Sequence, residues 1–114
     1  MTIEEYIIQY LDGVLDVPVS GDVPSPLQDS FVTVEMTGGG EENKIRDATI
    51  AVQSWETSRD AAAQLNDQVI TAMEAMEARP EISRCSLDTC YNYTDITRKK
   101  PRYQAVFTVV HYLT

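Results

Sequence analysis

The chain has 114 residues and a mass of 12.8 kDa, which suits one domain with a single hydrophobic core. Hydrophobic residues make up 43% of it and charged residues 24%, proportions that exclude a disordered chain. The formal net charge of −9 disfavours nucleic acid as a direct ligand, because phosphate binding requires clustered Lys and Arg side chains.

The start of the chain and its cysteines favour a reducing compartment. The first residues, MTIEEYIIQYL, lack the basic start and long apolar region of a signal peptide, so we expect folding in a cytoplasm. Cys85 and Cys90 form no metal-binding pattern, because a zinc site needs three or four ligands. On a regular strand the two side chains would point to opposite faces, so both are expected to be free thiols.

The predicted elements begin with a short amphipathic helix followed by a proline-rich loop. Thr2 and Glu5 form a capping box, and apolar residues at helical spacing extend the helix over about 2–13. Prolines remove hydrogen-bond donors, so residues 17–29 are expected to form a loop with at most a short edge strand at 17–19.

Two strands with alternating apolar residues come next, over 31–37 and 45–55. Glycine frees the backbone for a tight connection between strands. The hairpin turn is therefore placed at Gly38, Gly39 and Gly40.

A second helix and two further strands complete the chain. Thr57 or Ser58 can act as the N-cap residue, and a helix is predicted over about 58–78. One strand is expected within 82–93, and a longer one over 102–113, where apolar side chains alternate. The order α-β-β-α-β-β predicts a single α+β domain over residues 1–114, with an antiparallel sheet of about four strands packed against two helices.

The second face of this sheet is unexpectedly apolar. When helices cover one face of an antiparallel sheet, the other is expected to be polar. Here the second face would carry Phe31, Ala51, Trp55, Val106, Val110 and Tyr112. Two explanations remain open: the first helix covers this face, or another subunit does.

The sequence offers little catalytic chemistry. The single histidine, His111, lies near the end of a predicted strand without a recognisable nucleophile, so we interpret it as a strand residue. The three glycines lack the phosphate-loop pattern and lead into a strand, so no helix end would meet a phosphate. No catalytic residue, cofactor site or metal site is assigned.

One basic cluster interrupts the acidic sequence, at Arg98, Lys99 and Lys100 with Arg102 close behind. It is short and falls in a predicted loop, so we expect a solvated turn or a subunit contact in preference to a nucleic-acid site.

Several short motifs together carry a family resemblance. They are T-G-G-G at 37–40, N at 43, I-R-D at 45–47, V-Q-S-W at 52–55, S-R at 58–59 and P-R-Y-Q at 101–104. From about residue 17 to the end, the chain resembles the small tail terminator, or tail-completion, proteins of long-tailed bacteriophages. The likeness is to versions common in phages and prophages of actinobacteria and related hosts.

The resemblance implies a structural role without a cofactor, a reaction or a membrane. Such proteins form a ring, typically a homohexamer, on the head-proximal end of the tail tube. The ring ends tube polymerisation and provides the docking surface for the filled head. The implied partners are other copies of the chain, the major tail tube protein and a head connector or stopper protein. DNA would pass through the ring without specific binding. The implied location is the virion, at the head–tail joint, after assembly in the host cytoplasm.

A ring requires two different patches of one subunit to meet, and the candidate patches are the hairpin tip and the second sheet face. The residues assigned to a subunit or tube interface are Gly38, Gly39, Gly40, Asn43, Arg46, Asp47, Trp55, Arg59, Arg102 and Tyr112. Two alternatives stay open. One is a head-completion or stopper connector of the same particle, and the other is a small cytoplasmic enzyme or ligand-binding α+β domain.

Overall fold

Within residues 1–43 and 45–113, which the computed structural model describes, the chain forms one five-stranded sheet with two α-helices packed against it. The elements, in chain order, are α1 (Ile3–Val14), β1 (Val19–Ser20), β2 (Phe31–Glu42), β3 (Ile45–Trp55), α2 (Arg59–Ala75), a short 3₁₀ helix (Met76–Ala78), β4 (Ile82–Asn92) and β5 (Arg102–His111). The predicted α+β class is confirmed, in a single compact domain.

The sheet is mixed, and this corrects the prediction of about four antiparallel strands. Its strand order is β1-β2-β3-β5-β4, with β1 parallel to β2 and every other pairing antiparallel. The fifth strand is β1, in which Val19 and Ser20 pair with Val32 and Thr33. Pro18, directly before it, has no N–H to donate to a ladder and so does not favour extension of the strand on that side.

The predicted glycine turn is wrong, because the glycines belong to a strand. β2 continues through Gly38, Gly39 and Gly40, which pair with β3, and Glu42 pairs with Ile45 at the end of the ladder. The turn lies beyond them, where Asn43 adopts a φ of 53° in the left-handed region. Asparagine tolerates this conformation better than most residues do. The β2–β3 hairpin is therefore a long paired arm.

Both helices pack on one face of the sheet, called the inner face. Apolar residues of α1 and α2 join a single core with the inward side chains of the strands. The α1 contribution is Ile3, Tyr6, Ile7 and Leu11. The possibility that the first helix covers the opposite, outer face is therefore wrong.

Both helices begin directly after a residue whose side chain caps the first turn. Thr2 Oγ1 accepts a hydrogen bond from the Glu5 N–H at 3.1 Å, and Ser58 Oγ accepts one from the Ala61 N–H at 3.1 Å. Each bond satisfies an amide that the first helical turn leaves free. Among the described residues, neither helix combines the length and the hydropathy that crossing a membrane requires.

Irregular pairing in β4 changes the expected placement of the cysteines. A bulge between Leu87 and Thr89 shifts the alternation, so that Cys85 and Cys90 pair with Val109 and Ala105 on the same side of β5. The two thiols therefore do not point to opposite faces as expected. Four strand positions still separate them, about 13 Å, which is too far for a disulfide. Both are free, with Cys85 buried and Cys90 exposed.

Candidate interaction surfaces

A row of hydrogen-bonded side chains crosses the outer face over four strands. Trp55 Nε1 donates to Thr33 Oγ1 at 3.0 Å, and that hydroxyl donates to Gln53 Oε1 at 3.1 Å. Gln53 Nε2 donates to Gln104 Oε1 at 2.6 Å, and Gln104 Nε2 donates to Tyr91 Oη at 2.6 Å. This row could not be predicted from the sequence, because strand register is needed to see that these residues are neighbours.

Trp55 lies at one end of the row and is fully buried, with 0% of its surface exposed. Its ring stacks on Phe31 with centroids 5.2 Å apart. The Arg102 guanidinium lies 4.7 Å from the Trp55 ring centroid, and the Lys100 ammonium lies 5.8 Å from that of Phe31. Trp55 was predicted as an interface residue, but in this arrangement a second subunit has no access to it.

The rest of the predicted apolar patch is discontinuous. Ala51 is buried, and Val106 and Val110 are half-buried. Tyr112 follows β5 and is 52% exposed, while its N–H donates to the Glu81 carbonyl at 3.0 Å. The outer face therefore presents polar side chains with small apolar areas between them.

The loop over residues 93–101, called the tip loop, is held firmly by polar contacts. Asp95 accepts hydrogen bonds from the backbone and the guanidinium of Arg98, at 3.0 and 2.7 Å. These bonds lower the pKa of the Asp95 carboxyl below its usual value, the backbone bond contributing most. Lys100 Nζ donates to the carbonyls of Asp29 and Glu56, at 2.8 and 3.2 Å. Buried Asp95 thus fixes the turn within the loop, and buried Lys100 fixes the base of the loop to the body of the domain.

The end of the tip loop presents apolar and cationic side chains together. Ile96 is 87% exposed, the highest value among the described large apolar side chains. Arg98 and Lys99 follow it and are also exposed. Lys99 has a φ of 54°, a left-handed conformation that completes the turn.

At the other end of the sheet, a cavity of about 580 Å³ lies between the start of α1, the β2–β3 hairpin and the end of β5. We call it the corner cavity. Its wall includes the apolar side chains of Ile3, Met36 and Leu113. Glu4 of α1 accepts a hydrogen bond from the Met36 N–H at 2.8 Å, which fastens the helix start to the hairpin.

Charged groups surround the same cavity. Glu5, Glu41 and Asp47 supply carboxylates. Arg46 Nε lies 2.8 Å from Glu41 Oε1, in a pair whose side chains are each about half exposed (46% and 54%). Such an exposed pair contributes little to stability, so its main effect is to position the two side chains.

Gly39 permits the close pairing at the base of this hairpin. A Cβ placed on Gly39 would lie 2.9 Å from the carbonyl oxygen of Asp47 and 2.5 Å from the Met36 methyl carbon. The strand register shifts between Met36 and Gly38, directly before this close approach. The glycine run thus allows a close backbone approach, not the predicted turn.

His111 lies beside the corner cavity as the last residue of β5, in agreement with its interpretation as a strand residue. Burial lowers the pKa of its imidazole; the nearby Arg46 lowers it further, and Asp47 opposes both. Burial therefore favours the neutral form of the imidazole. Its buried Nδ1 makes no hydrogen bond within the part of the chain that the structure describes.

The structure divides the predicted interface residues into groups. Gly40, Arg46 and Asp47 line the corner cavity, and Gly38, Gly39 and Asn43 lie on the same hairpin. Trp55 and Arg102 lie at the opposite end of the sheet. Arg59 is exposed at the start of α2, and Tyr112 is exposed after β5.

No protein-family model matches the chain, and no curated protein matches it in sequence comparison. Across residues 1–43 and 45–113, no group of three or more His, Cys, Asp or Glu side chains is arranged to hold a metal ion.

Proposed function

We propose that the chain is a tail terminator, a structural virion protein that forms a ring, typically a hexamer, on the head-proximal end of a phage tail tube. There it ends tube polymerisation and provides the surface to which the head connector docks. Its partners are other copies of itself, the major tail tube protein and the head connector.

The observation that carries the proposal is where the motif residues of the resemblance lie. Gln53, Trp55, Arg102 and Gln104, from two motifs distant in sequence, contact one another at one end of the sheet. The hairpin motif lines the corner cavity at the other end. Two dissimilar surfaces at opposite ends of one subunit are what a heterologous ring contact needs.

The charge of the chain also suits a ring around DNA. A net charge of −9 repels the phosphate backbone and so favours passage without binding. Neutralising the acids that face the lumen should slow DNA ejection from assembled particles, and unaltered ejection would count against this part of the proposal.

The direct test is a tube-capping assay. Purified major tail tube protein from the same phage is polymerised with and without this protein, and tube lengths are measured by negative-stain electron microscopy. We expect shorter tubes that carry a ring at one end. Tubes of unchanged length would refute the proposal, and binding to portal-bearing heads instead would indicate the stopper connector. Val14→Asp serves as a control, because Val14 is exposed and lies outside both surfaces.

A further inference from the structure

The tip loop ends in an exposed isoleucine next to cationic side chains, and the corner cavity has an apolar wall with carboxylates beside it. We propose that the tip loop of one copy inserts into the corner cavity of a second copy, so that copies join head to tail. This inference rests on the proposed ring and names the surfaces through which its subunits meet.

The tip loop has the properties of a rigid anchor. Buried Asp95 fixes its turn and buried Lys100 fixes its base, while Ile96 at its end is almost fully exposed. Ordering a loop in advance reduces the entropic cost of binding. An exposed aliphatic side chain on such a loop becomes a strong contact once a partner cavity removes it from water.

The corner cavity provides the matching environment. Its volume of about 580 Å³ lies within the range of sites that enclose small ligands, and is therefore large enough to receive a side chain with its neighbours. Ile3, Met36 and Leu113 form an apolar wall for Ile96.

The charges favour the same pairing. The segment 98–102 holds four of the nine cationic residues of the chain, Arg98, Lys99, Lys100 and Arg102, although the chain as a whole is strongly acidic. A contact between two acidic surfaces would bring like charges together. Glu41 of the cavity is paired with Arg46, and Arg98 of the tip loop is paired with Asp95. The contact therefore brings the exposed Lys99 towards the carboxylates of Glu5 and Asp47, which have the opposite charge.

The two features lie far apart on one subunit, so they cannot meet within it. Nine strand positions separate Arg46 at the cavity from Trp55 beneath the tip loop, which corresponds to about 30 Å along β3. The molecule is 44 Å long. A contact between two different patches adds subunits in one direction, and it closes into a ring when the rotation per subunit allows.

The test uses single cysteines in the full chain with Cys90→Ser, since Cys90 is the exposed native thiol. One protein carries Ile96→Cys and a second, with a tag of different size, carries Met36→Cys. A short bismaleimide is added to the mixture and to each protein alone. We expect at least tenfold more cross-linked dimer in the mixture than in either protein alone.

The controls distinguish this contact from other associations. Val14→Cys replaces Met36→Cys as an exposed position outside the cavity and should give little product. Equal cross-linking by Ile96→Cys alone would indicate a two-fold dimer and overturn the inference. Absence of product in a mixture up to about 1 mM would also overturn it.

A second variant tests the charges and the nucleic-acid alternative. Lys99→Glu should reduce self-association by sedimentation velocity at least tenfold, and Lys99→Arg should preserve it. If Lys99→Glu leaves self-association unchanged but abolishes salt-sensitive binding to duplex DNA, the tip loop is a DNA contact and the inference fails.

The capping assay separates this inference from the proposed function. Normal capping by proteins that show no cross-link would refute the head-to-tail contact and leave the terminator role intact. Cross-linked rings that fail to cap tubes would refute the terminator role and leave the contact intact.

Discussion

Replacing Trp55 with alanine should destabilise the folded domain strongly, whether or not the protein assembles. The indole is fully buried, stacks on Phe31 and donates a hydrogen bond to Thr33. Truncating a buried Trp to Ala costs about 3–5 kcal/mol, because contacts are lost and a cavity remains. Thr33 keeps its bond to Gln53, so no buried hydroxyl is left unpaired and the cost should stay in that range.

Urea unfolding measures the effect. With a denaturant slope of about 2 kcal/mol/M, a loss of ~4 kcal/mol lowers the unfolding midpoint by about 2 M. Far-UV circular dichroism is the required probe, because Trp55 is the only tryptophan and the variant has no indole fluorescence. Tyr112→Ala is the matched control, an exposed aromatic residue whose loss should change stability by no more than about 0.5 kcal/mol.

A small loss of unfolding free energy in Trp55→Ala would refute this reasoning. If Trp55→Ala costs less than about 1 kcal/mol while assembly is lost, Trp55 is an interface residue as the sequence alone suggested. A large loss of stability supports the burial seen in the structure.

Three further predictions concern the hairpin, the thiols and the histidine. Gly39→Ala should lower the free energy of unfolding, measured in urea, by about 1–3 kcal/mol, because the new Cβ would contact backbone. Gly13→Ala in helix α1 should raise it by about 0.5–1 kcal/mol, because no atom lies within 4 Å of the new Cβ. Equal effects of the two substitutions would contradict the close pairing at Gly39. Iodoacetamide at pH 8 should label native Cys90 but not Cys85, because burial and nearby carboxylates raise the pKa of Cys85 to about 12; two labels by mass spectrometry would refute this. Burial lowers the pKa of His111, so the unfolded chain binds the proton more readily and stability should fall as pH drops through about 6.5. His111→Gln should reduce this loss of unfolding free energy, and an identical pH dependence would contradict it.

The local parts of the fold were predictable from the sequence. The capping box at Thr2 placed the start of α1, and the choice of Thr57 or Ser58 as N-cap placed the start of α2 to within one residue, since a cap acts on the next three residues. Alternating apolar residues placed β3 and β5 for a similar reason, because period-two patterning reports which side chains are buried.

The parts that were missed depend on residues distant in the sequence. The glycines of β2 form a strand because β3 supplies their hydrogen-bond partners, an effect that outweighs the weak strand propensity of glycine. Trp55 is covered by Arg98 of the tip loop and Arg102 of β5, both more than 40 positions later in the chain, which alternation along β3 cannot reveal. Which face α1 covers likewise depends on the path of the proline-rich loop.

The predicted interface residues likewise divide into those that a local pattern indicated and those that depend on contacts between distant parts of the chain. The pattern of glycines and charges directed attention to the β2–β3 hairpin, and the structure places a cavity there. The pattern gave no reason to select Ile96, because one isoleucine in a polar loop has no periodicity to interpret. Only the buried Asp95 and Lys100 show that the loop is fixed in position.

The polar row on the outer face makes the sheet sensitive to slippage. Every donor along it points the same way, from Trp55 towards Thr33 and onward to Tyr91, so turning one glutamine amide would place two donors or two acceptors face to face. A shift of any strand by one residue would move its member of the row to the inner face. The row therefore allows one alignment of β2, β3, β5 and β4. An edge strand that is pulled along its axis should resist the force, because it can slide only if these side-chain bonds break together with its backbone ladder.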